Sequence, residues 1–281
     1  MNWRSLLFVP GDRPDRFEKA AASGADALIL DLEDSVAPER KQKARDDVAQ
    51  YLSSRKERPA ILVRINPLDS DFVAGDLDAL IGLGFDGLVF PKAEGAASIS
   101  QLDSLLAVRK LSGLPLLPIA TETPAAIFQL GSYRDVKNRL LGLTWGAEDL
   151  PAAIGARTSR EADGSYTPPY EMARSLALFA AHAADAAAIE TVYPDFRDED
   201  GLARYAARAA RDGFVGMMAI HPAQVPVING AFTPSDAELE HARRVVAAFD
   251  ANPGLGAVQL DGKMIDAPHL RQARRLLGLT R

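Results

Sequence analysis

The chain contains no cysteine. Disulfides, thiolate metal sites and cysteine nucleophiles are therefore excluded. No apolar run approaches the roughly 18 residues that a membrane span requires. The first apolar stretch, 6–9, is only a strand's length and lacks the basic-then-apolar order of a signal peptide. Neither a Gly-x-Ser-x-Gly elbow, nor a His-Glu-x-x-His helix, nor a Walker loop occurs. A net charge of −6 argues against broad nucleic-acid binding. The expectation is a cytoplasmic protein with no nucleic-acid partner and no membrane partner.

What is present is an alternation. At 281 residues the chain has the length of a single α/β barrel, and a hydrophobic content of 47% is enough for a large core. Strand-like runs fall at 5–9, 27–32, 61–65, 87–90, 116–119, 141–144, 187–189 and 216–220. Several are apolar throughout, as suits a parallel sheet covered on both faces. Helix-like stretches fall between them at 14–23, 39–53, 76–83, 98–108, 124–129, 149–154, 198–212 and 223–228, with Pro14, Pro38, Pro124 and Pro222 near their starts. Eight strand–helix units predict a TIM (β/α)8 barrel. The alternative is an open doubly wound sheet, although no Gly-x-Gly-x-x-Gly follows the first strand.

Two regions exceed a minimal barrel. Residues 157–170 are polar, hold Gly164 and the Pro168-Pro169 pair, and read as a long loop over the site. An alanine-rich helix over 170–184 follows. Beyond Phe232, Ser235 or Thr233 is expected to cap a further helix, with Glu238 behind it. The break at 252–256 then leads to a tail, 261–281, ending in a basic helix. The expected division is a catalytic barrel over 1–232 and a C-terminal helical extension over 233–281. The tail is read as an appendage too short to bury a core of its own.

Two acids carry most of the functional information. Glu122, in Pro-Ile-Ala-Thr-Glu-Thr-Pro, and Asp149, in Trp-Gly-Ala-Glu-Asp-Leu, each follow a short apolar run and precede a helix start. That position is the carboxyl end of a strand, where loops build barrel active sites. With no cysteine and few histidines nearby, two carboxylates suit a hard, oxygen-preferring cation such as Mg²⁺. The competing reading is that both acids simply serve helix N-termini. Arg64 ends the third strand and is suited to holding a carboxylate or a developing enolate oxygen, or to forming an ordinary ion pair. Asp31-Leu-Glu-Asp34 places three acids after the second strand, with Asp31 and Glu33 on one side by alternation. They either hold metal-bound water or cap the next helix and pair with Arg40 or Lys43. The first loop, with Arg13, Arg16 and Lys19 ahead of a helix, reads as a phosphate-binding corner or as a solvated basic face. His221 is either an acid/base group or a hydrogen-bonding residue.

At this point a resemblance is carried by the residues. Arg-Ser-Leu-Leu-Phe-Val-Pro-Gly-Asp-Arg-Pro-Asp-Arg-Phe-Glu-Lys-Ala, Leu-Asp-Leu-Glu-Asp-Ser-Val-Ala-Pro, Val-Arg-Ile-Asn, Phe-Pro-Lys-Ala-Glu, Thr-Glu-Thr, Trp-Gly-Ala-Glu-Asp-Leu and Ala-Ile-His-Pro-Ala-Gln-Val occur in that order. The chain resembles citrate lyase beta-subunit-like proteins of the acyl-CoA lyase group, which includes malyl-CoA and citramalyl-CoA lyases, from Arg4 to about Leu277.

The resemblance implies a TIM barrel, Mg²⁺, coenzyme A thioester substrates and a homotrimer or dimer of trimers. It implies that Glu122 and Asp149 bind the metal and that Arg64 binds substrate. Phe8, Arg13 and Lys19 match positions that contact coenzyme A, and Asp266 matches an acid delivered by a neighbouring subunit's C-terminal segment. The expected reaction is reversible carbon–carbon cleavage of a 3-hydroxyacyl-CoA into an acyl-CoA and a 2-oxoacid, with Gly146 and Ala147 completing the carboxylate pocket. Alternatives are malyl-CoA thioesterase or malate synthase-like activity on the same site, a coenzyme A-independent pyruvate aldolase, or a non-catalytic acyl-CoA-binding protein.

Overall fold

Eight short runs dominated by β-branched and leucine side chains become eight parallel strands, each followed by helix. The computed structural model describes residues 3–54 and 59–279. In chain order the elements are β1 (Ser5–Pro10), α1 (Phe17–Ala21), β2 (Ala27–Asp31), α2 (Lys41–Ser53), β3 (Ala60–Arg64), α3 (Val73–Ala79), β4 (Gly87–Phe90) and α4 (Gly95–Ala107). These are followed by β5 (Leu116–Pro118), α5 (Pro124–Gln129), β6 (Gly142–Thr144), α6 (Asp149–Ala153), α7 (Pro168–Ala183), β7 (Ala187–Glu190), α8 (Glu199–Asp212), β8 (Gly216–Ala219) and α9 (Gln224–Ala231). Last come α10 (Asp236–Asp250), β9 (Ala257–Leu260), β10 (Lys263–Asp266) and α11 (Ala267–Leu276).

The sheet runs β5-β4-β3-β2-β1-β8-β7-β6, and parallel bridges Leu116↔Leu140 and Ile119↔Thr144 join its two ends. The result is a TIM barrel, and the open-sheet alternative is excluded. Period-2 alternation sorts the strand residues. Leu6, Ile29, Leu62, Val89, Leu117, Ile189 and Met218 fill the barrel interior. Their neighbours Leu7, Leu28, Leu30, Ile61, Val63 and Leu88 pack outward against the helices. The same parity carries Asp31 and Arg64 inward, and the two are register partners across β2 and β3.

Helix boundaries follow local chemistry. Thr123 caps α5 by accepting the Ala126 N–H at 3.1 Å, and Asp198 caps α8 by accepting the Gly201 N–H at 2.9 Å. Pro168 and Pro169 differ from their reading as loop residues: they open α7, where a missing N–H costs nothing.

The chain divides into two compact units, Met1–Phe232 and Thr233–Arg281. In the second, Ser235 and Glu238 form a reciprocal capping box at the start of α10. The tail, 261–281, adds Ile265 and Ala273 to a core that it shares with α10 and β9. Ala242, Val245, Phe249, Val258, Ile265 and Ala273 form a hydrophobic cluster of their own. What makes this possible is a hairpin of β9 and β10, antiparallel with Ile265 opposite Val258. Its turn is Asp261-Gly262, with φ of 50° and 75°. Positive φ at both central residues is the hairpin geometry that Asp-Gly favours. Among the described residues, no helix is long and apolar enough to cross a membrane.

Candidate active site at the barrel mouth

The carboxyl ends of β2 to β6 deliver a cluster of charges. Arg64 is fixed by Asp31, whose carboxylate accepts from Nε and Nη2 at 2.6 Å each, and Glu33 Oε2 lies 2.9 Å from Nη1. Burial works to lower the Arg64 pKa, but Asp31 and Glu33 outweigh it and hold the guanidinium above its ordinary value. Of its five N–H donors, two bond Asp31, while the Glu33 contact is an ion pair without a hydrogen bond. The guanidinium also lies over the Phe8 ring, 4.8 Å from its centroid. Asp31 and Glu33 point the same way, as alternation predicts, but their partners are Arg64 and Lys92 rather than Arg40 or Lys43. Arg40 instead pairs with Asp12 at 2.9 Å, and Lys43 pairs with Asp47.

Glu122 is 3% exposed, and its Oε2 accepts the Lys92 backbone N–H at 2.5 Å. Burial pushes its pKa up to about 8; the Lys92 N–H opposes the rise, and the negative charges of Asp149 and Glu33 add to it. Asp149 opens α6 with its side chain about one-third exposed, and Lys92 Nζ lies 3.9 Å from its Oδ1. Lys92 Nζ also donates to Glu33 Oε1 at 2.9 Å.

Lys92 was not singled out from sequence, and the only local signal was its place in Phe-Pro-Lys-Ala-Glu, just past β4. Its φ of 50° is in the left-handed region that non-glycine residues seldom occupy. Such strain persists where surrounding structure imposes it and clusters at functional sites.

The segment carrying Asp149 is held from two sides. Gly146 N–H donates to Thr121 Oγ1 at 3.0 Å, tying the loop after β6 to the loop after β5. A Cβ on Gly146 would sit 2.5 Å from Glu122 Cγ, so only glycine leaves room for that carboxylate. Trp145 is fully buried, and its indole N–H donates to Glu190 Oε1. Glu190, with no exposure, also accepts from Arg174 Nε at 2.7 Å and Tyr205 Oη at 2.9 Å. Sequence reasoning missed Glu190, Arg174 and Tyr205, because nothing local reveals which acid meets a distant indole. The loop before α7 packs on the same tryptophan: the Tyr166 ring meets Trp145 edge-on at 5.0 Å, and Arg160 lies over Tyr166 at 4.0 Å.

The remaining sequence candidates are dispersed. Arg13 pairs with Asp15 at 2.9 Å, and Lys19 is exposed on α1. His221 is exposed, its Nδ1 accepts the Ala223 N–H at 3.2 Å, and its ring stacks on Phe196 with centroids 4.7 Å apart. Ala147 is buried at 1% exposure. Asp266 caps α11, with its Oδ1 2.6 Å from His269 Nδ1.

The donor set fits a hard divalent cation. Among the described residues no group of three or more acids or histidines encloses a metal site. Mg²⁺ asks for less, since it binds through one or two carboxylates and keeps several waters. Glu122 is a buried carboxylate without a cationic hydrogen-bond partner, in a space that Gly146 keeps open.

Comparison with known proteins agrees with this architecture. A family profile described as HpcH/HpaI aldolase/citrate lyase matches residues 4–222. A citrate lyase subunit beta-like protein of Mycobacterium tuberculosis is 39% identical over 274 residues, covering 96% of this chain and 93% of that one. An L-malyl-CoA/beta-methylmalyl-CoA lyase of Cereibacter sphaeroides is 33% identical over 292 residues, covering 96% and 92%. The crystal structure of protein CitE from Mycobacterium tuberculosis in complex with magnesium, acetoacetate and coenzyme A superposes with a TM-score of 0.84 at 36% identity, covering 99% of this chain and 98% of that one. With motif order, closed barrel and near-complete coverage in agreement, this chain belongs to the HpcH/HpaI aldolase/citrate lyase family.

Proposed function

We propose that the chain is a Mg²⁺-dependent carbon–carbon lyase that cleaves or forms a 3-hydroxyacyl-CoA of the malyl-CoA or citramalyl-CoA type. The observation that carries the reading is Glu122: a buried acid, raised to about 8, in a glycine-kept space beside Asp149 and Arg64. An isolated buried carboxylate is costly unless a cation meets it. The relatives named above, one binding magnesium and coenzyme A and another a malyl-CoA lyase, support the same chemistry.

Mg²⁺ held by Glu122 and Asp149 would supply Lewis-acid polarisation of the substrate's hydroxyl and carboxylate. Arg64, pinned by Asp31 and paired with Glu33, offers N–H groups not bonded to Asp31 to an oxygen at the mouth. Cleavage breaks the bond between the hydroxyl-bearing carbon and the carbon next to the thioester; the hydroxyl gives its proton to water and becomes the carbonyl of the 2-oxoacid, and the electron pair of the broken bond leaves negative charge on the thioester oxygen. A guanidinium held in place beforehand stabilises that charge without reorganising. Asp266 protonates the resulting carbon and removes the same proton in the condensation direction. The Gly146-Ala147 segment closes around the substrate carboxylate. Phe8, Arg13 and Lys19 meet coenzyme A, with Arg13 exchanging Asp15 for a phosphate. A homotrimer or dimer of trimers brings each tail's Asp266 to a neighbour's site.

The test is to incubate the protein and Mg²⁺ with acetyl- or propionyl-CoA and glyoxylate, pyruvate or oxaloacetate, and identify products by mass. A 3-hydroxyacyl-CoA adduct is expected. Its KM for the thioester should rise more than that for the 2-oxoacid when Arg13 and Lys19 are both changed to alanine. Release of free coenzyme A and a hydroxy acid would assign the thioesterase outcome. Condensation without any thioester would assign the pyruvate aldolase. Binding of acyl-CoA without turnover of any pair would leave a binding protein.

A further inference from the structure

Lys92 meets three acids of the site, Glu122, Glu33 and Asp149. Its backbone N–H holds Glu122 Oε2 at 2.5 Å, and its ammonium lies 2.9 Å from Glu33 Oε1 and 3.9 Å from Asp149 Oδ1. Through Glu33 the same ammonium joins the carboxylate pair that fixes Arg64. The backbone adopts φ of 50° to make these contacts together.

Charge counting shows what the ammonium does there. Asp31, Glu33 and Asp149, with Glu122 when it is ionised and Asp34 close enough to act on both Arg64 and Lys92, outnumber the two cations, so the site attracts a divalent cation and the Lys92 ammonium opposes it. Arg64 is bound bidentately to Asp31 and is one-eighth exposed, so it cannot follow changes near Asp149. Lys92 can: its side chain is one-third exposed, and its contact with Asp149 is long.

We propose that Lys92 is a positioning residue that couples metal binding to anionic-substrate binding. With no substrate present, its charge beside Asp149 weakens the hold on a divalent cation. A carboxylate-bearing 2-oxoacid offers the ammonium another partner, draws it off Asp149, and so tightens the ion. The inference rests on the metal assignment proposed above.

The measurement is Mn²⁺ binding to the full-length protein, by electron paramagnetic resonance, with and without pyruvate. Removing one positive charge next to a divalent site, where the interaction is only partly screened by water, is expected to tighten Mn²⁺ about tenfold in Lys92→Met without pyruvate. The parent should bind Mn²⁺ more tightly when pyruvate is added, and Lys92→Met should lose that gain. Lys92→Arg should restore it. Lys92→Gly keeps the backbone N–H and relieves the positive φ, so it should fold at least as well and show the same tightened Mn²⁺. A merely structural lysine would give weaker binding when removed. Unchanged or weakened Mn²⁺ affinity in both Lys92→Met and Lys92→Gly, or undiminished coupling to pyruvate, would overturn the inference. If Glu122→Gln binds Mn²⁺ as the parent does, the metal assignment itself fails; if it loses Mn²⁺ while the Lys92 variants behave as the parent, only the role of Lys92 fails.

Discussion

Replacing Glu122 by glutamine separates the buried charge from the shape that holds it. Glu122 titrates near 8 in the folded chain against an ordinary 4.5. The fold therefore binds this proton more tightly than the unfolded chain does. Its contribution to stability is complete below pH 4.5 and is lost as pH rises through 8. A rise of about 3.5 pH units at about 1.4 kcal/mol each is on the order of 5 kcal/mol. Local relaxation and water entry reduce that figure to about half, roughly 2.5 kcal/mol. At roughly 2–4 °C per kcal/mol for a chain of this size, the effect is at least 5 °C in Tm. In EDTA the parent should melt progressively below Glu122→Gln as pH is raised from 5 to 9, because the amide carries no charge to bury. Excess Mg²⁺ should recover the parent's Tm at pH 9 and leave the variant unmoved. Differential scanning fluorimetry across that pH series is the assay. Parallel Tm curves for the two proteins in EDTA would refute the burial of an ionisable, metal-seeking carboxylate at this position.

Two further outcomes test other parts of the site. Gly146→Ala pushes a methyl group to 2.5 Å from Glu122 Cγ, and overpacking of this kind typically costs about 1–3 kcal/mol; calorimetry should show weaker Mg²⁺ binding along with a lower Tm, and an unchanged Mg²⁺ affinity would detach Gly146 from the carboxylate. Asp266→Asn keeps an asparagine cap on α11 and so should retain both its fold and Mg²⁺ binding while losing activity; mixed with inactive Glu122→Gln under subunit exchange, it should regain part of the activity, and no recovery despite demonstrated exchange would place Asp266 outside a neighbour's site.

The barrel was legible because its signals are local. Continuous apolar runs such as Ile61-Leu62-Val63 can be buried on both faces only in a parallel sheet. Prolines at first turns and caps such as Ser235 mark helix starts without reference to anything distant. Asp31 and Glu33 were assigned to one side by alternation, and both meet Arg64 there. The hairpin of β9 and β10 was equally local, since Asp261-Gly262 is a strong turn signal. Length alone does not reveal it: Ile265 finds apolar cover only when it is paired with Val258 across that turn and set against α10.

Sequence by itself determined the strand–helix alternation, the family motifs and the candidate acids at strand ends, because each depends on spacing within a few residues. Tertiary structure alone decided which charges meet. Arg64 finds Asp31 and Glu33, which lie about 30 positions earlier in the chain, and Glu122 finds a backbone N–H 30 positions away. Trp145 finds Glu190 across 45 positions. It also decided that Glu122 loses its water, which raises its pKa, and that Lys92 is bent into positive φ between three acids. Electrostatics depends on distance and burial in space, and closure of the barrel sets both.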